Sequence, residues 1–216
     1  MIETVYVIHL ARETARESNI RDIKEHIIKE NPNVNFIVYS GIDKNTINFE
    51  DYRDLKIFHR MPTHKNESII RGEIALSLTH LAIFREIVQK KLNNVLVLED
   101  DVILNKDKDL NFVVPENSDL FYLGGHIWKG CLWGCYSILY PKWESTKNIL
   151  NELLFKFPRR FRAIDSMIKR YIHTKFIVNG FFDYRNNLAV DKMIFTNSLL
   201  IPDFSKGSIL RDIDNI

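Results

Sequence analysis

The segment Asn94–Leu98 (NVLVL) constrains the fold more than any other stretch, because it runs without a break into Glu99-Asp100-Asp101. Four successive aliphatic residues with no polar alternation predict a strand covered on both faces, as in a parallel sheet. Three carboxylates at the end of such a strand repel one another and raise one another's pKa values unless a positive group sits among them. The plain alternative is that the acids end the strand in solvent.

The rest of the chain supplies partners for that strand. Thr4–Leu10 (TVYVIHL) and Asn35–Ser40 (NFIVYS) read as strands, the second closing at Gly41-Ile42-Asp43. Between them, Ile20, Ile23 and Ile27 recur at helical spacing from about Glu13 to Glu30, and Asn31-Pro32 stops the helix. Residues 44–70 carry no sustained period and read as a long loop. Glu73–Lys91 is the clearest helix, with Ile74, Leu78, Leu81, Phe84 and Val88 along one face. Leu120–Leu123, leading into Gly124-Gly125, and Tyr136–Tyr140 read as further strands. Pro141 opens a helix to about Leu154. A helix around Ile164–Tyr171 and short strands near Phe176–Val178 and Leu188–Ile194 follow. This order predicts an α/β fold, one domain over 1–216, with a mostly parallel central sheet flanked by helices. Ligands of such sheets bind beyond the strands' carboxyl ends. That places Leu10–Arg16, Gly41–Asp43, Glu99–Asp101 and Gly124–His126 on one side of one sheet.

Composition narrows the class. A chain of 216 residues with 45% hydrophobic and 27% charged side chains has the balance of a folded core rather than of a disordered segment. Lys+Arg (30) nearly cancel Asp+Glu (28), so nucleic-acid binding is not expected to be its main task. No apolar run approaches the roughly 20 residues that span a bilayer, and the start shows no secretory signal. A cytoplasmic protein is expected. Cys131 and Cys135, in C-x3-C without a second pair, are a poor zinc site and read as core thiols in a reducing compartment.

Alternation along the strand puts Glu99 and Asp101 on one side and Asp100 on the other. Such a pair can grip a hard divalent cation through oxygen while leaving positions open for phosphates. A phospho-acceptor receiver domain is excluded, since Asp119 precedes its strand rather than ending it. No P-loop motif exists in the chain.

Several stretches together resemble glycosyltransferase family 25, which contains lipooligosaccharide and collagen galactosyltransferases. Val5–Leu10 with Arg12 and Arg16 resembles its opening strand and basic loop. Gly72–His80 is similar to its G-E…S-H helix, with Thr79-His80 in place of Ser-His. Val97–Val102 reproduces its L-E-D-D-V motif, and Asp119–Gly124 resembles its D-x-x-Y-L-G strand. Asp165 stands where the family has a P-V-D-like aspartate, and Pro202–Asp212 faintly resembles its terminal region.

The resemblance implies a GT-A-like fold with a nucleotide-sugar half over about 1–104 and an acceptor half over about 105–216. It implies a UDP-sugar donor, a manganese (or magnesium) cofactor, and inverting transfer of a hexose such as galactose to a hydroxyl of a glycan or lipid-linked oligosaccharide, as in lipopolysaccharide biosynthesis. Asp101 is then the expected metal ligand, assisted by Glu99; Glu99 or Asp100 would hold the ribose or a metal-bound water. Leu10, Arg12, Arg16, Asp43 and His80 are expected about the nucleotide-sugar, with Gly124, Gly125 and His126 approaching the sugar. Asp165 is the expected general base, and the plain alternative is a carboxylate favoured by a helix N-terminus. Trp128 and Trp133 either stack on sugar or fill the core. Lys156–Lys175, with seven cations and one acid, suits an anionic membrane, an acidic glycan or plain solvent. Two rivals stand beside the transferase: a domain that binds nucleotide-sugar or glycan without turnover, and another nucleotide-dependent transferase.

Overall fold

The computed structural model describes residues 1–52, 67–105, 108, 111–128, 131–184 and 198–202. The expected strand Leu188–Ile194, part of the 44–70 segment, the side chains of Trp128 and Cys131, and most of Pro202–Asp212 lie outside the described residues.

β1 (Thr4–His9), β2 (Asn35–Ser40) and β3 (Val95–Glu99) pair in parallel, with β1 in the middle. β5 (Leu120–Trp128), β6 (Cys131–Trp133) and β7 (Ser137–Tyr140) continue the sheet in the order β2-β1-β3-β7-β5-β6, and β8 (Val178–Tyr184) pairs with β5. The α/β class with helices against a central sheet holds. Parallel pairing is confined to β2-β1-β3 and to β8 on β5; β7 enters antiparallel to both β3 and β5, so the sheet is mixed. A small ribbon joins β4 (Val102–Leu104) to β9 (Leu200–Pro202).

Alternation along the strands feeds two cores. Val5, Val7, Leu96 and Leu98 pack toward Ile20, Ile23 and Ile27 of α1 (Glu17–Glu30). Tyr6, Ile8, Val95 and Val97 pack toward α2 (Glu67–Lys90) and α3 (Trp143–Lys156). Burying a strand's two faces in this way needs apolar side chains at both parities, which is what NVLVL supplies. α2 begins before Glu73 and is buried over more than one stripe: Ser77, Thr79, His80, Ile83 and Ile87 join Ile74, Leu81 and Phe84 inside. It packs against α3 as well as joining the core beneath the sheet, so a single amphipathic face does not describe it. α4 (Ile164–Met167) passes into a π turn (Ile168–Ile172).

The strand after Asp119 does not stop at Leu123. It runs on through Gly124-Gly125-His126 to Trp128. Gly124 is required for packing: a Cβ there would sit 1.8 Å from the Leu200 carbonyl oxygen of β9. Gly180 of β8 has φ +146 beside the Tyr122 backbone, where the β5–β8 register shifts.

Candidate functional site

The carboxyl ends of β1, β2 and β3 and the N-terminal half of α2 enclose a cleft. Leu10, Arg12 and Arg16 come from the turn after β1, Gly41, Ile42 and Lys44 from beyond β2, and Glu99, Asp100 and Asp101 from the end of β3 and the turn that follows it. Three of the four expected strand ends therefore converge. The fourth does not: Gly124, Gly125 and His126 lie within β5, and none lines this cleft. Of the paired glycines, read as a strand end, Gly124 answers instead to the close approach of β9 and Gly125 to that of β6.

Asp100 is buried, and its charge is matched. Its Oδ1 accepts from Arg16 Nη1 at 2.5 Å, and its Oδ2 lies 2.7 Å from His9 Nδ1. Arg16 is placed by a short 3-10 turn, Thr14–Arg16, and is itself only 4% exposed. A buried guanidinium demands such a partner. The same Nη1 is 3.8 Å from Asp101 Oδ2. Asp100 is thus occupied in holding the turn and the acidic loop together, while Glu99 and Asp101 remain.

These two carboxylates sense each other. Burial, then the Glu99 charge, push Asp101 up to about 7, with Arg16 opposing and Asp100 adding to the rise. Burial also acts to raise Glu99, but His80, Cys135 and Arg16 outweigh it and leave Glu99 below the usual carboxylate range. Two half-buried acids with an all-oxygen donor set, still under-neutralised after Arg16, fit a hard divalent cation.

A second donor group lies behind Glu99. Cys135 Sγ donates to Glu99 Oε1 at 3.1 Å, His80 Nε2 stands 3.8 Å from the same oxygen, and the three ligand atoms fall within 4.8 Å of one another. Neither ring nitrogen of His80 has a hydrogen-bond partner among the described residues. This set, with imidazole and thiol, suits a softer ion than Asp101 does. Cysteine spacing along the chain cannot reveal it, because its members come from α2, β3 and the turn before β7.

Arg12 forms an ion pair with Asp43, whose Oδ1 also accepts from Asn45 N–H at 2.8 Å. Asp43 therefore fixes Arg12 at the rim and does not itself line the cleft. On the opposite wall, Gly72, Ala75, Leu76 and Thr79 line the cleft from α2. Ile42 N–H donates to Thr79 Oγ1 at 3.0 Å, tying the end of β2 to that helix. Lys44, Ala75 and Leu76 were not anticipated; small residues at helical spacing within the G-E…T-H stretch were the available signal.

Asp165 begins α4 away from this cleft, and its Oδ1 accepts from Ser166 N–H at 2.5 Å. Burial, with Glu99 and Glu73 nearby, pushes it above the ordinary carboxylate range against the pull of that backbone donor. In the basic segment, Phe157, Phe161 and Tyr171 are buried in the core and only Phe155 is exposed. No described helix is long and apolar enough to cross a membrane.

A family model described as "Glycosyltransferase family 25 (LPS biosynthesis protein)" matches residues 2–176. The "Procollagen lysyl hydroxylase and glycosyltransferase" of Acanthamoeba polyphaga mimivirus is 24% identical over 135 residues, covering 57% of this chain but only 15% of that protein. The crystal structure of a glycosyltransferase involved in the glycosylation of the major capsid of PBCV-1 aligns over 83% of this chain and 81% of its own, with 13% identity and a TM-score of 0.49.

Proposed function

Since the chain belongs to glycosyltransferase family 25, we propose that it transfers a hexose, galactose by preference, from a UDP-sugar to a hydroxyl of a glycan or lipid-linked oligosaccharide, with inversion, on a GT-A-like scaffold. The observation that carries this reading is the division of labour among the three acids: Arg16 and His9 occupy Asp100, and Glu99 and Asp101 are left as a partly exposed pair lining the cleft.

Asp101 and Glu99 would hold manganese or magnesium, which when bound supplies Lewis-acid stabilisation of the departing diphosphate. Arg12, set by Asp43, and Lys44 add positive charge where phosphates would lie. Leu10, Ile42 and Leu76 offer apolar surface to a base, and Arg16 holds the acidic loop at the carboxyl end of β1. Asp165, with a raised proton affinity, takes the proton of the acceptor hydroxyl as it attacks. Calorimetry with UDP and manganese tests the reading. Heat that requires both, followed by metal-dependent hydrolysis of one UDP-sugar in a screen, supports it; no heat with either component overturns it.

A further inference from the structure

A second cleft, of about 490 Å³, shares no lining residue with the cleft at the acidic loop. That size admits one or two sugar rings. Its walls are β5 and β6 on one side and α4 with its π turn on the other, and Arg162, Lys169 and Arg170 face into it.

The charge there is one-sided. Elsewhere in the same basic segment Lys156 and Lys175 share one carboxylate, that of Glu152. Arg162, Lys169 and Arg170 have no carboxylate partner among the described residues, and Arg162 Nε is buried without a hydrogen-bond acceptor. A donor kept from water without an acceptor costs free energy and is a place for a ligand oxygen. Lys169 Nζ stands 3.7 Å from the centre of the Trp133 ring, so a cation from the π turn meets an aromatic ring from β6 across the cleft.

We propose that this cleft binds a negatively charged sugar, a uronate or a sugar phosphate, as the part of the acceptor that anchors it. Carboxylate or phosphate oxygens meet Arg162 and Lys169, and the ring lies against Trp133. Ser166 lines the cleft and Asp165 is its neighbour on α4, so an acceptor anchored here brings an adjoining hydroxyl to the acidic side of that helix. The inference rests on the transferase reading for the word acceptor, while the binding itself does not. A concave site between strand and helix suits a glycan. The segment offers a membrane little, because Phe157, Phe161 and Tyr171 turn inward.

The test is a nucleotide-free titration followed by the Trp133 indole resonance. The probes are methyl β-D-glucuronide, galactose 6-phosphate, the neutral methyl β-D-glucoside, inorganic phosphate, and vesicles with and without anionic lipid. The two charged sugars are expected to shift Trp133, more weakly as salt rises, and the neutral glycoside is not. Arg162→Gln combined with Lys169→Gln should weaken that binding about tenfold or more, with near-ultraviolet dichroism checking that the chain remains folded; Lys169→Arg should keep it. Equal binding of the neutral glycoside, inorganic phosphate binding as well as the sugar phosphate, unchanged binding by the double variant, or a response to anionic vesicles alone each overturns the proposal. A chain that binds uronate but not UDP overturns the transferase reading and keeps this cleft; the reverse result does the opposite.

Discussion

Arg16 and Asp100, 84 positions apart in sequence, form a buried ion pair at 2.5 Å that joins the turn after β1 to the acidic end of β3. Removing one partner leaves the other charge buried and uncompensated. Arg16→Gln is therefore expected to cost about 3–5 kcal/mol in urea unfolding. Combining Arg16→Met with Asp100→Leu should recover much of that loss while leaving UDP binding impaired. A single variant as stable as the parent would contradict the pairing.

Asp101 is predicted to trade stability for binding. Its proton affinity is higher folded than unfolded, so in the metal-free protein its contribution falls as pH rises from about 4 towards 7. Asp101→Asn should stabilise the metal-free chain at pH 8 by about 1–2 kcal/mol and abolish manganese-dependent UDP binding. Thermal unfolding and calorimetry on the same sample read both effects.

Gly124→Ala is expected to be severe, since its new methyl group would overlap the Leu200 carbonyl. Backbone cannot swing aside as a side-chain tip can, so a loss of about 3 kcal/mol or more is anticipated. Urea unfolding of the variant, or its failure to accumulate as soluble protein, reads the loss.

His173 gives the opposite pH sign to Asp101. Burial, then Lys169, lowers its pKa to about 4, and its Nε2 lies 3.0 Å from the Tyr122 hydroxyl. The unfolded chain takes up the proton first, so the stability this residue confers is complete above about 6.5 and is lost as pH falls towards 4. His173→Gln should flatten the dependence of the unfolding midpoint in that window, and a ring resonance titrating near 6.5 would refute the assignment.

Asp165→Asn should lower kcat by about a hundredfold or more while leaving KM for the donor and UDP affinity close to the parent values. Near-normal turnover removes Asp165 from the role of base.

The half that carries β1, α1, β2 and β3 was legible because its signals are local. NVLVL followed by three acids predicts both the buried strand and its charged end, and Ile20, Ile23 and Ile27 give α1 its buried face. What escaped the sequence depends on contacts between distant segments. The antiparallel entry of β7 is invisible to periodicity, because parallel and antiparallel buried strands share the same apolar pattern. Gly124-Gly125 looked like a strand end, since nothing local announces the Leu200 carbonyl beside Gly124 or the Trp133 carbonyl beside Gly125. The thiol of Cys135 meets Glu99 and His80 for the same reason.

The insertion of β7 between β3 and β5 has a temporal consequence. During synthesis β1, α1, β2, α2 and β3 emerge first and have parallel partners at once. The flank of β3 that β7 will cover, and with it the thiol neighbour of Glu99, waits for residues 135–140. Residues 198–202, which tie Asn105 and Asp183 to β5, come later still. A nascent chain therefore displays its acidic loop half-built until the ribosome has delivered the sheet's far side.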